Sequence, residues 1–341
     1  MLAAVASQPG TVEAITASDL VDSVSGERIM GTIQDLQAFG SRALHLHSAN
    51  DAAAYILEEF EGMGLQASCQ QFTTLNYTSF NVVAQLEGSS EDAGFLLVGA
   101  HYDSVNSEAQ DYASSLVAEA PGADDDASGV AAMLEIASVL ADSKPELGIK
   151  FVAFGAEELT YDNLGGLAGS RAFVESEVEA GVEYIGALVL DMIGYQGSSD
   201  EHAVLITNSG SDPVPEAFTR ATAEHDLGLE VEVVIDATIH FSDHYSFWEA
   251  GYPCTMAFES IPQSYEYEFN PYYHSSEDVI VHLSEGQIEN VTKATVGALV
   301  DLAGIEESSG LPTSVLLFIL LAVSAAVIIT FVLFKTRNGD K

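Results

Sequence analysis

Three consecutive aspartates, Asp124–Asp126, stand in the stretch Pro121–Gly129 (PGADDDASG), directly ahead of an amphipathic run over residues 130–140. Adjacent carboxylates repel one another unless a positive charge compensates them, and a helix N-terminus supplies only about half a charge. A divalent metal ion supplies more, and carboxylate oxygens are among its usual ligands. The stretch therefore predicts either a metal site or, more simply, an Asp N-cap on a surface helix.

Further histidines and carboxylates follow apolar runs that are typical of buried strands. His101-Tyr102-Asp103 follows Phe95–Ala100, Glu157-Glu158 follows Ile149–Phe154, Asp191 follows Tyr184–Leu190, and His274 lies in the loop after Cys254–Phe258. Open parallel sheets carry their sites beyond the carboxyl ends of the strands, so we expect these side chains at one edge of a sheet. Each residue alone has an ordinary explanation as a structural histidine, a turn cap or a solvated acid. Their joint pattern favours a common site.

Two histidines with three carboxylates suit two zinc ions that share one bridging carboxylate. Zinc binds histidine nitrogen and carboxylate oxygen, and a catalytic site keeps one position open for water. A further carboxylate must stay free as the general base, and Glu157 and Glu158 can divide these roles between them. Asp103, two residues after His101, is placed to orient that imidazole.

The elements around these residues alternate between strands and helices, which predicts an α/β fold with a mostly parallel mixed sheet and helices on both faces. The remaining strands are predicted at Leu65–Phe72, Phe80–Leu86, Ala203–Thr207 and Leu229–Ile235. Helices are predicted at Glu27–Phe39, Ser48–Met63, Ala127–Leu140, Asn163–Val174, Pro215–Glu224, Asp243–Ala250 and Ser284–Leu302.

The composition is strongly acidic, with 52 acids against 10 bases and a formal net charge of −42. The acids are spread along the chain and no basic patch exists, which excludes nucleic acid as a partner. A diffuse acidic surface of this kind is typical of adaptation to salt. The two cysteines, Cys69 and Cys254, form no metal-binding spacing. We expect buried thiols, and a disulfide between them stays open.

The C-terminal run Thr313–Phe334 is uncharged and strongly apolar. As a helix it would span roughly 33 Å, enough to cross a bilayer. Lys335, Arg337 and Lys341 follow it, so the positive-inside rule predicts a single-pass anchor in membrane lipid, a cytoplasmic tail at 335–341 and an extracytoplasmic domain. A buried core helix is the weaker alternative. The N-terminus shows no export signal; we favour a true start upstream over a tail-anchored protein that faces the cytoplasm.

The motifs HYDS, PGADDDASG, AEE, LDM and NPYYHSSED, in this order, resemble those of the co-catalytic dizinc aminopeptidases. The chain is similar to bacterial leucyl aminopeptidases and, more distantly, to glutamate carboxypeptidase and transferrin receptor. The resemblance implies a three-layer zinc-exopeptidase fold over residues 27–304. We expect a flexible leader at 1–26 and a linker at 305–312.

The resemblance also implies the roles of single residues. Five residues correspond to the metal ligands, with Asp125 as the bridging carboxylate: His101, Asp125, Glu158, Asp191 and His274. Glu157, the first glutamate of AEE, corresponds to the general base. No ligand position is substituted, which argues against a receptor-like relative without activity.

One departure concerns the tyrosine that related bacterial enzymes often carry shortly before an SDH motif. Here the stretch 239–244 reads IHFSDH, and His240 is the candidate to take that place. Beside the ligands, Met192, Phe258 and Tyr273 are predicted to form an apolar pocket for a large side chain.

Together these observations predict a membrane-anchored zinc aminopeptidase that acts on peptides. Three alternatives stay open: a carboxypeptidase, a glutaminyl cyclase, and a non-catalytic ectodomain that binds a partner. A carboxypeptidase needs cations to hold the terminal carboxylate, for which Arg171 and Arg220 are the candidates. A cyclase needs one zinc ion rather than two. The oligomeric state is not indicated.

Overall fold

The apolar runs of the sequence form the strands of one eight-stranded sheet. A computed structural model describes residues 16–90, 93–158, 166–210, 213–261 and 267–305. In chain order the strands are Gln66–Thr74 (β1), Tyr77–Leu86 (β2), Phe95–His101 (β3), Gly148–Phe154 (β4), Tyr184–Leu190 (β5), His202–Thr207 (β6), Glu230–Ile235 (β7) and Cys254–Phe258 (β8).

Two of the longer helices begin at serine caps. The side chain of Ser25 accepts a hydrogen bond from the backbone N–H of Arg28, and Ser284 does the same for Gln287. In chain order the helices are Ala17–Asp22 (α1), Gly26–Ala38 (α2), His47–Gly62 (α3), Tyr112–Ser115 (α4), Ala127–Leu140 (α5), Ala168–Ala180 (α6), Val214–Glu224 (α7), His244–Ala250 (α8) and Glu285–Leu302 (α9). A 3₁₀ turn at Ile280–His282 precedes α9.

The sheet has the order β1-β2-β4-β3-β5-β8-β6-β7. Its central strands β4, β3, β5 and β8 run parallel. On one side β2 and β1 add in antiparallel fashion; on the other side β6 and β7 run parallel to each other and antiparallel to β8. The predicted mostly parallel mixed sheet is confirmed, and the carboxyl ends of its four central strands share one edge.

Two hydrophobic cores cover the two faces of the sheet, because successive strand side chains point to opposite sides. In β3, Leu96 and Val98 belong to the core beneath α2, α3, α5 and α9, whereas Leu97 belongs to the core beneath α6 and α8. The chain therefore forms three layers, with helices on both faces of the sheet.

The structure corrects two boundaries. Part of the expected leader at 1–26 is the helix α1, whose Val21 is fully buried against the core. The ordered domain therefore begins before residue 27. The helix predicted to start at Asn163 starts at Ala168, after Leu167 in a left-handed conformation with φ of 54°. Residues 163–165 lie outside the described part.

The expectation for the cysteines was wrong in part. Cys254 is buried in β8, but Cys69 is exposed in β1, and neither forms a disulfide. The two strands are five positions apart in the sheet, about 24 Å at the usual strand spacing. A disulfide requires Cα atoms within about 7 Å, so the fold excludes this bridge.

No helix of the described residues is long and apolar enough to span a membrane. The predicted linker from residue 306 onward, the membrane segment 313–334 and the tail 335–341 lie outside the described part of the chain.

Candidate metal centre

The predicted ligands meet at the carboxyl edge of the central strands. His101 is the last residue of β3, Asp191 follows β5, and Glu158 follows β4. Asp125 lies in the loop before α5, and His274 lies in the loop after β8. All five are buried or nearly so, and their side-chain exposure is 17% for His274 and 8% or less for the others.

Asp125 lies between the two histidines and offers one oxygen to each. Its Oδ1 is 3.1 Å from His101 Nε2, and its Oδ2 is 3.1 Å from His274 Nε2. A further carboxylate approaches each histidine: Asp191 Oδ1 lies 3.8 Å from His101 Nε2, and Glu158 Oε1 lies 2.9 Å from His274 Nε2. The result is two overlapping sets of donor atoms that share Asp125.

These donor sets fit divalent metal ions. The ligand atoms of His101, Asp125 and Asp191 lie within 4.8 Å of one another, as do those of Asp125, Glu158 and His274. Burial works to lower the pKa of His274, but Glu158 and Asp125 outweigh it and raise that pKa to about 10. The carboxylates of the cluster thus stabilise positive charge at a buried site. Zinc ions would supply that charge in place of the protons on the histidines.

The neighbouring aspartates hold the loop in shape. Asp126 caps α5 by accepting from the N–H of Gly129 at 2.9 Å, and it also accepts from the N–H groups of His101 and Met192, each at 3.2 Å. Asp124 accepts from the Nδ2 of Asn270 at 2.7 Å. Only the middle aspartate is left for the metal, which agrees with the predicted role of Asp125.

Asp278, in the segment between β8 and α9, supports this loop. Its two oxygens accept from the backbone N–H groups of Asp124 and Asp125, at 3.0 and 3.1 Å. Gly122 adopts φ of 56°, and a Cβ there would lie 2.5 Å from the carbonyl oxygen of Asp125. The glycine of PGADDD is therefore required by the turn.

Asp103 lies beside the His101 imidazole, where it was predicted, and makes further contacts that were not predicted. His101 Nδ1 lies 3.2 Å from the backbone carbonyl oxygen of Asp103 and 3.7 Å from its carboxylate. That carboxylate also accepts from the backbone N–H groups of Glu157 at 3.0 Å and Glu158 at 3.2 Å. Asp103 is thus a positioning residue for the glutamate pair, and both its carbonyl and its carboxylate approach the His101 imidazole.

Glu157 lies at the cluster without belonging to either donor set that contains Asp125. Its carboxylate comes within 4.8 Å of ligand atoms of His101 and Glu158. Burial raises the pKa of Glu157 well above its ordinary value; His101 opposes this, and the charges of Glu158, Asp243 and Asp191 add to it. A carboxylate with a raised pKa accepts a proton more readily, as a general base must.

An apolar cavity of about 450 Å³ opens beside the cluster. All four predicted substrate-binding residues line it: Met192, His240, Phe258 and Tyr273. Two further aromatic residues of this wall, Phe241 and Phe269, were not predicted from the sequence. Phe241 lies 5.5 Å from Phe258 between ring centroids, and Phe269 lies 5.2 Å from Tyr273. Phe241 directly follows His240 in the sequence, and this adjacency to a predicted pocket residue could have indicated its place in the wall.

A profile of the family described as Peptidase family M28 matches residues 81–299, more than half of the chain. The chain belongs to this family. The resemblance seen in the motifs is therefore confirmed, and with it the prediction that the chain is an enzyme of the peptidase class.

Relatives with similar sequences are described as peptidases. A probable zinc metalloprotease of Pyrenophora tritici-repentis is 29% identical over 288 residues, which cover 69% of this chain and 63% of that protein. The chain thus spans less than two thirds of this relative. A probable leucine aminopeptidase of Trichophyton verrucosum is 26% identical over 295 residues, covering 84% of this chain and 75% of that protein.

Solved structures share the M28 fold. The LapA aminopeptidase of Legionella pneumophila superimposes with a TM-score of 0.71 at 22% identity, covering 88% of this chain and 78% of that one. A glutaminyl cyclase of Bacteroides thetaiotaomicron gives 0.64 at 19% identity, with coverage of 81% and 97%. At this identity the likeness establishes the fold.

Arg42 is a further residue that sequence reasoning missed. It is fully buried and donates from Nε to the carbonyl of Tyr102 at 2.6 Å, from Nη1 to Pro121 at 2.6 Å and from Nη2 to Gly122 at 2.9 Å. It thereby joins the segment after β3 to the turn that carries Asp125. A longer bond of 3.3 Å joins Nη1 to the nearby carbonyl of Leu36. Nothing in the local spacing marks Arg42, since the other three acceptors are backbone carbonyls 60 to 80 residues away.

Three residues next to the ligands have strained backbones. Ala156, Met192 and His274 adopt positive φ values of 57°, 48° and 53°. Non-glycine residues rarely adopt this conformation, and such strain concentrates at functional sites. Ala156 immediately precedes Glu157 and Met192 immediately follows Asp191, whereas His274 is itself a predicted ligand.

Proposed function

We propose that this M28 protein is a dizinc aminopeptidase that removes N-terminal residues from peptides. The observation that carries the proposal is Asp125, which offers one oxygen to His101 and the other to His274. One ion would be held by His101, Asp125 and Asp191, and the other by Asp125, Glu158 and His274. When bound, zinc polarises a carbonyl and lowers the pKa of water, which is the chemistry of peptide hydrolysis.

Glu157 serves as the general base in this proposal. It takes a proton from the attacking water and passes it to the leaving amine. Asp103 fixes where this happens, since its carboxylate holds the backbone N–H groups of Glu157 and Glu158. The low exposure of Glu157, 8%, excludes most bulk water from the proton transfer.

The cavity beside the cluster favours cleavage at the N-terminus. Met192, Phe258 and Tyr273 would contact the first side chain of the peptide, so a large apolar residue such as leucine fits. A carboxypeptidase would need a cation here. Arg171 lines the cavity but lies 3.6 Å from Glu249, and Arg220 pairs with Asp301 away from the cluster.

The membrane anchor remains part of the proposal. Its support is the uncharged, apolar composition of residues 313–334 and the basic residues that follow. The catalytic domain would lie outside the cytoplasm. Extraction of membranes with carbonate and protease treatment of intact cells would test it, and a protein released by carbonate would contradict the anchor.

The function is tested with a leucine-initiated peptide, free and N-acetylated, before and after chelation and return of zinc. We expect release of leucine from the free peptide only, lost with the chelator and restored by two equivalents of zinc. Release of C-terminal residues would indicate a carboxypeptidase. Because glutaminyl cyclases share the fold, a glutamine-initiated peptide is included; loss of ammonia without shortening would indicate a cyclase.

A further inference from the structure

A second cavity, of about 340 Å³, adjoins the metal centre at Glu158 and His274. Its lining includes Leu44 and His45 ahead of α3, and Asn106, Gln110 and Ala118 in the segment after β3. We propose that this cavity binds the peptide beyond the scissile bond, and that its charge makes the enzyme discriminate against free dipeptides. The inference rests on the proposed aminopeptidase function and adds a substrate class to it.

The two cavities meet at the ligands. Glu158 and His274 line both of them. A peptide with its first side chain between Met192 and Phe258 therefore crosses the metal centre, and the residues that follow enter the second cavity. Asp103 lies at the inner end of this cavity, next to the glutamate pair that it positions.

The walls of the second cavity are joined by hydrogen bonds. The N–H of Ser107 donates to the carbonyl of His274 at 2.9 Å, which ties the segment after β3 to a ligand. Across the cavity, His45 Nε2 and Ser115 Oγ lie 2.9 Å apart. Asn106 Nδ2 donates to the carbonyl of Glu119 at 2.7 Å and closes the base of the segment. The cavity is therefore preformed, as binding pockets usually are.

The electrostatics of this cavity oppose a carboxylate. Within the described residues, its lining contains no lysine or arginine, and Asp103 contributes a carboxylate that is not among the proposed metal ligands. Glu108 and Asp111 are exposed on the same segment. Burial lowers the pKa of His45, which keeps its imidazole neutral at neutral pH. A dipeptide would place its terminal carboxylate among these acids, whereas a longer or amidated peptide would not.

The first test compares Leu-Gly, Leu-Gly-amide and Leu-Gly-Gly-Gly with the zinc-loaded full chain at low ionic strength. Two or more like charges at short range through water predict a kcat/KM about tenfold lower for the free dipeptide. High salt should reduce this difference, because it screens the repulsion. Equal rates for all three substrates would overturn the proposal.

A charge variant separates repulsion from the intrinsic reactivity of the substrates. Gln110 is exposed and lines the cavity, and Gln110→Lys should raise kcat/KM for Leu-Gly about threefold or more, with little change for the amide. Ala113→Lys adds the same charge at an exposed position of α4 outside the lining. An equal effect of both variants would contradict a local site.

A filling variant tests occupancy of the cavity. Ala118→Phe should lower kcat/KM for Leu-Gly-Gly-Gly about tenfold but leave leucinamide unchanged, since leucinamide has no residue after the scissile bond. Val117→Phe is the control, because Val117 is 80% exposed and lies outside the lining. If leucinamide is cleaved but Ala118→Phe does not affect the longer peptide, the second cavity is not a subsite. If no leucine substrate is cleaved, the proposed function itself is wrong.

Discussion

At the scale of single residues, the chain assigns different tasks to chemically identical neighbours. Asp125 is left to bind metal because Asp126 caps α5 and Asp124 bonds to Asn270. The sequence predicted the cluster, since residues after parallel strands converge at one edge. It could not predict the support from Asp278, because that contact joins residues 153 positions apart.

Glu157→Gln should abolish peptide hydrolysis while zinc remains bound. Removal of a general base costs about 10²–10⁴ in kcat, and Glu157 lies outside both donor sets that contain Asp125. The measurement is kcat on a leucyl peptide together with the zinc content of the purified protein. Glu158→Gln is the matched control, and it should lose zinc. Loss of zinc from the Glu157 variant as well would make Glu157 a ligand.

Asp103→Asn should lower kcat and leave KM and zinc content nearly unchanged. An asparagine keeps one acceptor oxygen but turns an NH₂ group toward the second backbone N–H, so the Glu157–Glu158 turn loses one of its two hydrogen bonds. Groups that orient ligands in this way typically contribute 10–100-fold, so we expect a decrease of about that size. Asp142→Asn, in the exposed turn after α5, is the control. An unchanged kcat would show that the carboxylate is not needed.

At the scale of elements, the loops between strands and helices determine the site. The strands themselves were predictable: the predicted bounds of β5 and β8 are those observed, because both are continuous apolar runs buried in the sheet. The direction of β6 could not be predicted from the sequence, since its antiparallel pairing with β8 depends on residues about 50 positions away. α1 was missed because its six residues carry too little periodicity to stand out.

Arg42→Met should destabilise the domain by about 3 kcal/mol, since it removes the donor to the carbonyl groups of Tyr102 and Pro121 and one of two donors to that of Gly122. The measurement is the free energy of unfolding from denaturant titration. Arg220→Met serves as the control: its ion pair with Asp301 is half exposed, and such pairs contribute at most about 1 kcal/mol. Similar losses in both variants would contradict the structural role of Arg42.

At the scale of the whole molecule, the net charge of −42 dominates. Several cations of the described residues are already paired with acids: Arg28 with Glu135, Lys150 with Glu177 and Lys293 with Glu289. The remaining acids repel one another across the surface, and this repulsion destabilises the compact state. Folding of this chain should therefore depend on salt much more than folding of a neutral protein does.

Raising KCl from about 0.1 to 1 M shortens the Debye length from roughly 10 to 3 Å. Screening on this scale should raise the midpoint of thermal unfolding; at an unfolding entropy of about 2.1 cal/mol/K per residue, a gain of about 3 kcal/mol corresponds to roughly 5 °C in a domain of about 290 residues. Chloride is preferred to sulfate, because sulfate also strengthens apolar burial. Sucrose at matched osmolality is the control, since it carries no charge. A midpoint that rises with KCl but not with sucrose identifies charge repulsion as the cause. Equal rises with both would attribute the effect to exclusion of the solute from the protein surface. An unchanged midpoint in KCl would show that the acids are far enough apart not to destabilise the fold.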